Sequence, residues 1–209
     1  MRHTRTIVTL VIALAGAVQG LGAQTQTRFG PMGGVAVSNF HGADVGSGVN
    51  SRTSFAVGAF ATFGISKNFA VEPQAFYIEK GATVDVGGGV TGTFKVHYIE
   101  VPLLFKLVFP MEGKITPNLF AGPAVAFRTT CKLQADSAGV TSEANCSDVG
   151  AAIKSTDFIV AFGAGVDIGP VAIQGRYDLG LTKIDDTTSP ADVKNKTWLF
   201  TAGLRLPFK

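Results

Sequence analysis

Absences in the sequence narrow the possibilities first. Beyond residue 23 no apolar run approaches the roughly 18 residues that a membrane-crossing helix needs. Charge is scarce, with Asp, Glu, Lys and Arg at 16% of the 209 residues, against about a quarter in ordinary soluble domains. Mean hydropathy is nevertheless +0.30. An apolar chain without a membrane helix must hide that surface in a core or show it to lipid from a closed barrel. The basic residues are spread singly and the formal charge is only +3, or +1 without Arg2 and Arg5. That excludes the basic stripe a nucleic-acid binder requires. Histidine is nearly absent: after residue 23 only His41 and His97 remain. His41, beside Asp44 and Ser47, falls in a loop, and nothing converges on it to make a hydrolase triad, so no catalytic residue is assigned. No metal or cofactor is implied either.

The first 23 residues read as an export segment. Arg2, His3 and Arg5 precede an apolar run over 7–18, and Ala23 offers a small residue at the cut. The expectation is a signal peptide over 1–23 and one domain over 24–209. An uncleaved anchor helix is the alternative, but the run is short for one. No Cys follows the run, so a lipidated N-terminus is not expected.

The chain is rich in alternation. In the stretch 97–109, His97, Ile99, Val101, Leu103, Phe105, Leu107 and Phe109 share one parity, while Glu100 and Lys106 share the other. A period of two is the mark of a β-strand, whose successive side chains point to opposite faces. Eight such segments are predicted, over 28–38, 54–65, 69–80, about 94–109, 115–128, 157–168, 171–181 and 198–208. Connections of three, five and two residues, 66–68, 110–114 and 169–170, alternate with long ones over 39–53, 81–93, 129–156 and 182–197. An up-and-down antiparallel sheet then has its short turns at one end and its long loops at the other, as outer-membrane barrels do. Both ends of the domain fall on the short-turn side. Aromatics on the apolar parity form two groups. Phe29, Phe63, Phe69, Phe109 and Phe208 lie near the short turns; Phe55, Tyr77, Phe127, Phe158 and Trp198 lie near the long loops. Aromatic rings favour the lipid–water boundary, so two belts are expected.

Glu72, Glu100, Lys106, Asp157, Asp167, Arg176, Asp178 and Arg205 all fall on the polar parity. Side chains fill the interior of an eight-stranded barrel, and an isolated buried charge is costly. These residues therefore read as an internal salt-bridge network plugging the lumen, with Glu100 and Arg176 as the central pair. A narrow gated ion path is the alternative. Cys131 and Cys146 share the longest loop. In an exported chain an even cysteine count suggests a disulfide, here closing about 15 residues and contributing about 3 kcal/mol. Two free thiols or a metal site are the other readings. Gly87, Gly89 and Gly92 match G-x-G-x-x-G, but with no helix behind them they read as flexible loop.

Several runs resemble the PorT-like outer-membrane β-barrel domain family: residues 98–106, Phe120 to Pro123, Phe162 to Val166 and Arg176 to Leu181, with Glu72, Tyr77, Lys80 and Gly81 resembling that family's third strand. The resemblance covers nearly all of the chain after residue 23. It implies an eight-stranded barrel in a Gram-negative envelope and does not by itself imply an activity. The chain ends Phe208-Lys209 where the family has a terminal aromatic.

The reading is therefore all-β: an eight-stranded antiparallel up-and-down transmembrane barrel, monomeric, in outer-membrane lipid. Its termini are expected in the periplasm, with the long loops outside as a contact surface for an extracellular partner. The rival from another class is a secreted lipocalin-like carrier, whose apolar parity would point inward onto a ligand.

Overall fold

The computed structural model describes residues 27–187 and 191–208; the expected export segment lies outside them. Among the described residues ten strands occur in chain order. They are β1 (Arg28–His41), β2 (Val49–Gly64), β3 (Phe69–Gly87), β4 (Val90–Val108), β5 (Ile115–Ser137), β6 (Val140–Asn145), β7 (Thr156–Ile168), β8 (Val171–Gly180), β9 (Lys194–Leu204) and β10 (Leu206–Pro207). Among the described residues, eight of them form a closed antiparallel ring: β1, β2, β3, β4, β5, β7, β8 and β9, with β9 back on β1. That last pairing runs from Met32↔Gly203 to His41↔Lys194. Closure leaves no strand edge in the wall, which is what allows a sheet to sit in lipid. β10 continues β9 past Arg205 and pairs with the start of β1.

The alternation decides which way the wall faces. Phe105, Phe162, Phe200 and Leu204 are on the outside, with Phe200 53% exposed, whereas Glu100 and Arg176 are 0% and 2% exposed. The apolar parity therefore faces outward, opposite to a lipocalin-like carrier.

Two expectations are corrected by the structure. The stretch 81–93 is not a long loop, because β3 and β4 run on and meet at Gly88 and Gly89. Gly87, Gly88 and Gly89 have φ of 85°, 63° and 76°. The glycine motif is thus a hairpin turn, where residues without a Cβ adopt left-handed backbone at no steric cost. The stretch 129–156 is not a simple loop either. β5 continues to Ser137, turns through Ala138 (φ 47°) and Gly139 (φ 82°), and returns as β6. Two consecutive left-handed residues make the two-residue turn that suits the twist of a hairpin. β-Branched residues on both sides of the first turn, among them Thr83, Val84 and Val86, then Val90, Thr91 and Thr93, favour the extension.

The wall strands differ in length as a consequence. About 9–11 residues cross a bilayer, and β8 has 10. β3 and β4 have 19 each and β5 has 23. The surplus on neighbouring strands stays paired, from Val90↔Ser137 down through β4 and β5 and from Val49↔Val84 across β2 and β3. The result is a continuous sheet of β2, β3, β4, β5 and β6 standing above the ring.

Candidate functional site: a charge-filled lumen under a knitted cap

The main ionic network of the lumen is built by inward residues of β2, β3, β4 and β8. On β4, the Lys106 ammonium donates to Glu72 Oε2 at 2.8 Å, and the Thr62 hydroxyl donates to the same oxygen at 2.5 Å. Glu72 Oε1 accepts from the amides of Gln74 (2.9 Å) and Gln174 (2.7 Å). Gln74 Oε1 accepts from Arg176 Nη1 at 2.8 Å. The Arg176 guanidinium then pairs with Glu100 through Nη2 and with Asp178 at 2.8 Å through Nε. Finally, Lys80 Nζ donates to Glu100 Oε2 at 2.5 Å. One connected network thus runs from Lys106 to Lys80. Three of its cations also sit over rings: Lys80 over Tyr98, Lys106 over Phe120, and Arg176 over Phe76 at 5.3 Å. Attraction to the ring face helps to replace lost hydration.

The network thus brings together Glu72, Glu100, Lys106, Arg176 and Asp178. Asp167 pairs separately with Arg205 at 3.2 Å. Asp157 accepts from the Asn195 amide at 2.9 Å, away from the main chain of contacts. Lys80, Gln74 and Gln174 are central members absent from the expected set. Lys80 shares the parity of Glu72 eight residues before it, so the signal is present in the sequence. A strand expected to end at residue 80 makes it a rim residue, whereas the strand runs seven residues further.

Polar side chains do not fill the whole interior, which corrects a further expectation. Towards the long-loop end, Ile78, Val96, Ala126, Ile159 and Leu199 form an apolar layer with Tyr98. This layer continues upward into a cap. Phe40 and Phe94 pack edge to face at 5.7 Å, and Phe94, Leu133, Ala151 and Ile153 pack against the layer. Cys131 and Cys146 are joined by a disulfide with Cα atoms 5.4 Å apart, which ties the foot of β6 to β5.

The remaining loops are laced together across this cap. The Lys154 amide donates to the Ile184 carbonyl (2.9 Å), the Ile184 amide to the Val193 carbonyl (2.9 Å) and the Asp186 amide to the Ala152 carbonyl (3.0 Å). The Asp192 amide donates to Asp44 Oδ2 at 2.6 Å. Backbone amides of Ala191 and Thr187 hold the Asp185 carboxyl below its ordinary pKa, and the Lys194 ammonium does the same for Asp192.

On the outer wall, Phe29, Phe63, Phe69, Phe109 and Phe208 lie around the short turns, with Phe29 and Phe208 edge to face at 6.0 Å. Phe55, Tyr77, Phe127, Phe158 and Trp198 lie around the far end of the ring. Tyr177 joins that group by packing on Trp198 at 4.8 Å. His97 stacks on Tyr77 and shares a 2.8 Å hydrogen bond with its hydroxyl. His41 Nε2 is 3.1 Å from the Gly180 carbonyl oxygen. Both histidines are therefore engaged in contacts that hold the wall and rim together.

Several solved structures are similar to this chain. The attachment invasion locus protein Ail of Yersinia pestis is 16% identical, with 87% of this chain and 99% of Ail covered at a TM-score of 0.44. Neisserial surface protein A is 14% identical, covering 86% and 97%, at 0.48. Outer membrane protein W of E. coli is 17% identical, covering 88% and 100%, at 0.43. Among curated proteins no sequence matches. The family model described as outer membrane protein beta-barrel domain matches residues 22–186, and the chain belongs to that family.

Proposed function

We propose that this protein is a non-enzymatic outer-membrane barrel that conducts nothing and works through its projecting end. In this reading residues 1–23 direct export, the domain over 24–209 is monomeric, and the PorT-like resemblance of residues 98–106 supports membership of that branch of the family. The termini lie in the periplasm and the projecting sheet lies outside the cell. The observation that carries the reading is the pairing of a closed interior with overlong strands. Connected charges and an apolar layer occupy the lumen, and hydrogen-bonded loops seal the far mouth. The two aromatic groups then mark the lipid boundaries, and the ionic residues of the lumen hold the barrel in shape. A filled eight-stranded interior leaves no room for solutes, so binding falls to the surface.

The sidedness is testable on intact cells. A cysteine placed by Val86→Cys at the hairpin tip should react with a membrane-impermeant maleimide. One placed by Ser66→Cys in a short turn should react only after the envelope is opened. The reverse pattern would refute the orientation.

A further inference from the structure

Above the ring, β5 changes partner. It pairs with β7 up to Phe127↔Thr156 and with β6 from Lys132↔Asn145 to Ser137↔Val140. Among the described residues β6 has β5 on one side and no strand on the other. The Cys146 amide donates to the Cys131 carbonyl, which sets the phase of the ladder. Residues 140, 142, 144 and 146 face β5, and residues 141, 143 and 145 present their N–H and C=O groups to the open side. On that side the Asn145 carbonyl accepts from Asp148. Among the described residues Thr141 and Glu143 have no strand to pair with on that side.

Natural sheets blunt such an edge with proline, lysine, a bulge or a covering loop. The β6 sequence, Val-Thr-Ser-Glu-Ala-Asn, has no proline and no lysine, and its register with β5 is unbroken. Its single charge, Glu143, is already answered by Lys132 at 2.6 Å. On β6 itself Val140 stands 67% exposed at the hairpin tip, and Val86, 68% exposed, stands at the other tip, three strands away on β3. They share the face of the sheet that carries Phe94 and Leu133 lower down. An open edge next to an exposed apolar side chain is the arrangement that captures an extended chain: main-chain bonds supply affinity and alternate side chains supply choice.

We infer that β6 is a docking edge for an extended polypeptide segment of an extracellular partner. The segment adds as the next antiparallel strand on Thr141 and Glu143, with small or β-branched apolar side chains beside Val140 and polar ones beside Glu143. A second copy in the same membrane cannot take this place. Strands in such barrels tilt roughly 35–45°, and a twofold axis along the membrane normal would cross the two β6 strands at roughly 70–90° rather than align them. The inference rests on the proposal that this end lies outside the cell.

The test uses the whole folded protein in nanodiscs. The probe is a synthetic hexapeptide alternating valine with threonine and lysine, and a form N-methylated on its docking edge serves as control. In excess peptide, amide exchange at Thr141 and Glu143 should slow by roughly tenfold or more, as for newly buried main-chain bonds. The N-methylated peptide should give no slowing. Glu143→Pro removes an outward N–H without touching the β5 ladder, and it should abolish the protection. Exchange unchanged by the peptide, or protection of Thr141 that survives either N-methylation or Glu143→Pro, overturns the inference. Should Glu143→Pro fold poorly, the N-methylated peptide on the native chain still decides. Maleimide labelling at Val86→Cys fails or succeeds independently. A labelled tip with no peptide protection removes the docking edge and leaves the surface role standing.

Discussion

Arg176 shows how the interior works at the scale of single residues. Its guanidinium serves Gln74, Glu100 and Asp178 at once from a position 2% exposed. Removing one partner from a buried ionic group leaves the others without compensation, which costs about 3–5 kcal/mol. Arg176→Leu should therefore lower the unfolding free energy, read from urea titration of the folded band on unheated gels, by an amount of that order. Lys80→Met should cost less, because Glu100 keeps its Arg176 contact. Gly34 sets a different limit. A Cβ there would lie 1.8 Å from the Phe200 carbonyl oxygen across the closing seam of β1 and β9. Gly34→Ala should thus lose the heat-modifiable folded band. At the neighbouring Gly33 the nearest atom is Ala56 O at 3.4 Å, so Gly33→Ala should keep it. Folding of Gly34→Ala to wild-type yield would show that the seam can separate.

Among the elements, the cap loops depend on carboxylates that join separate loops. Asp185 and Asp192 are held below their ordinary pKa by hydrogen bonds that exist only in the folded cap. Such groups add stability that is fully present above the unfolded value, near 3.9, and is lost as pH falls through the lower folded value. Protection factors for the Lys154 and Ile184 amides, which bond across these loops, should therefore fall below about pH 4. Amides deep in the ring should hold. Equal loss in both places would mean that the cap is not a separate unit. The two hairpins draw their order from ladder pairing, from the turns at Gly88 and Gly139, and from the disulfide. Elements differ in how legible they are. The strand cores can be read from parity alone. The stretches 81–93 and 129–145 look like loops because glycine and polar residues are frequent there, and polar residues on both faces are normal where a sheet leaves the membrane and meets water.

For the whole molecule, closure is the governing fact. The ring has no free edge, the lumen network spans β2, β3, β4 and β8, and the apolar layer with its cap seals the far end. Reconstituted in planar bilayers, the protein should show no conductance steps. Reproducible steps of a single size would disprove the closed interior and revive the gated ion path.

Local pattern along the chain was enough to specify the class of fold, the number of wall strands and which face meets lipid. Those rest on a period of two, and a period is a property of neighbouring residues. Folding in three dimensions was needed to establish that Lys80 answers Glu100, that Gln74 and Gln174 bridge two ion clusters, and that β5 changes partner to leave β6 with an open edge. Each of these depends on register between strands distant in the chain, up to 102 residues for Gln174 and Glu72, and alternation carries no information about register.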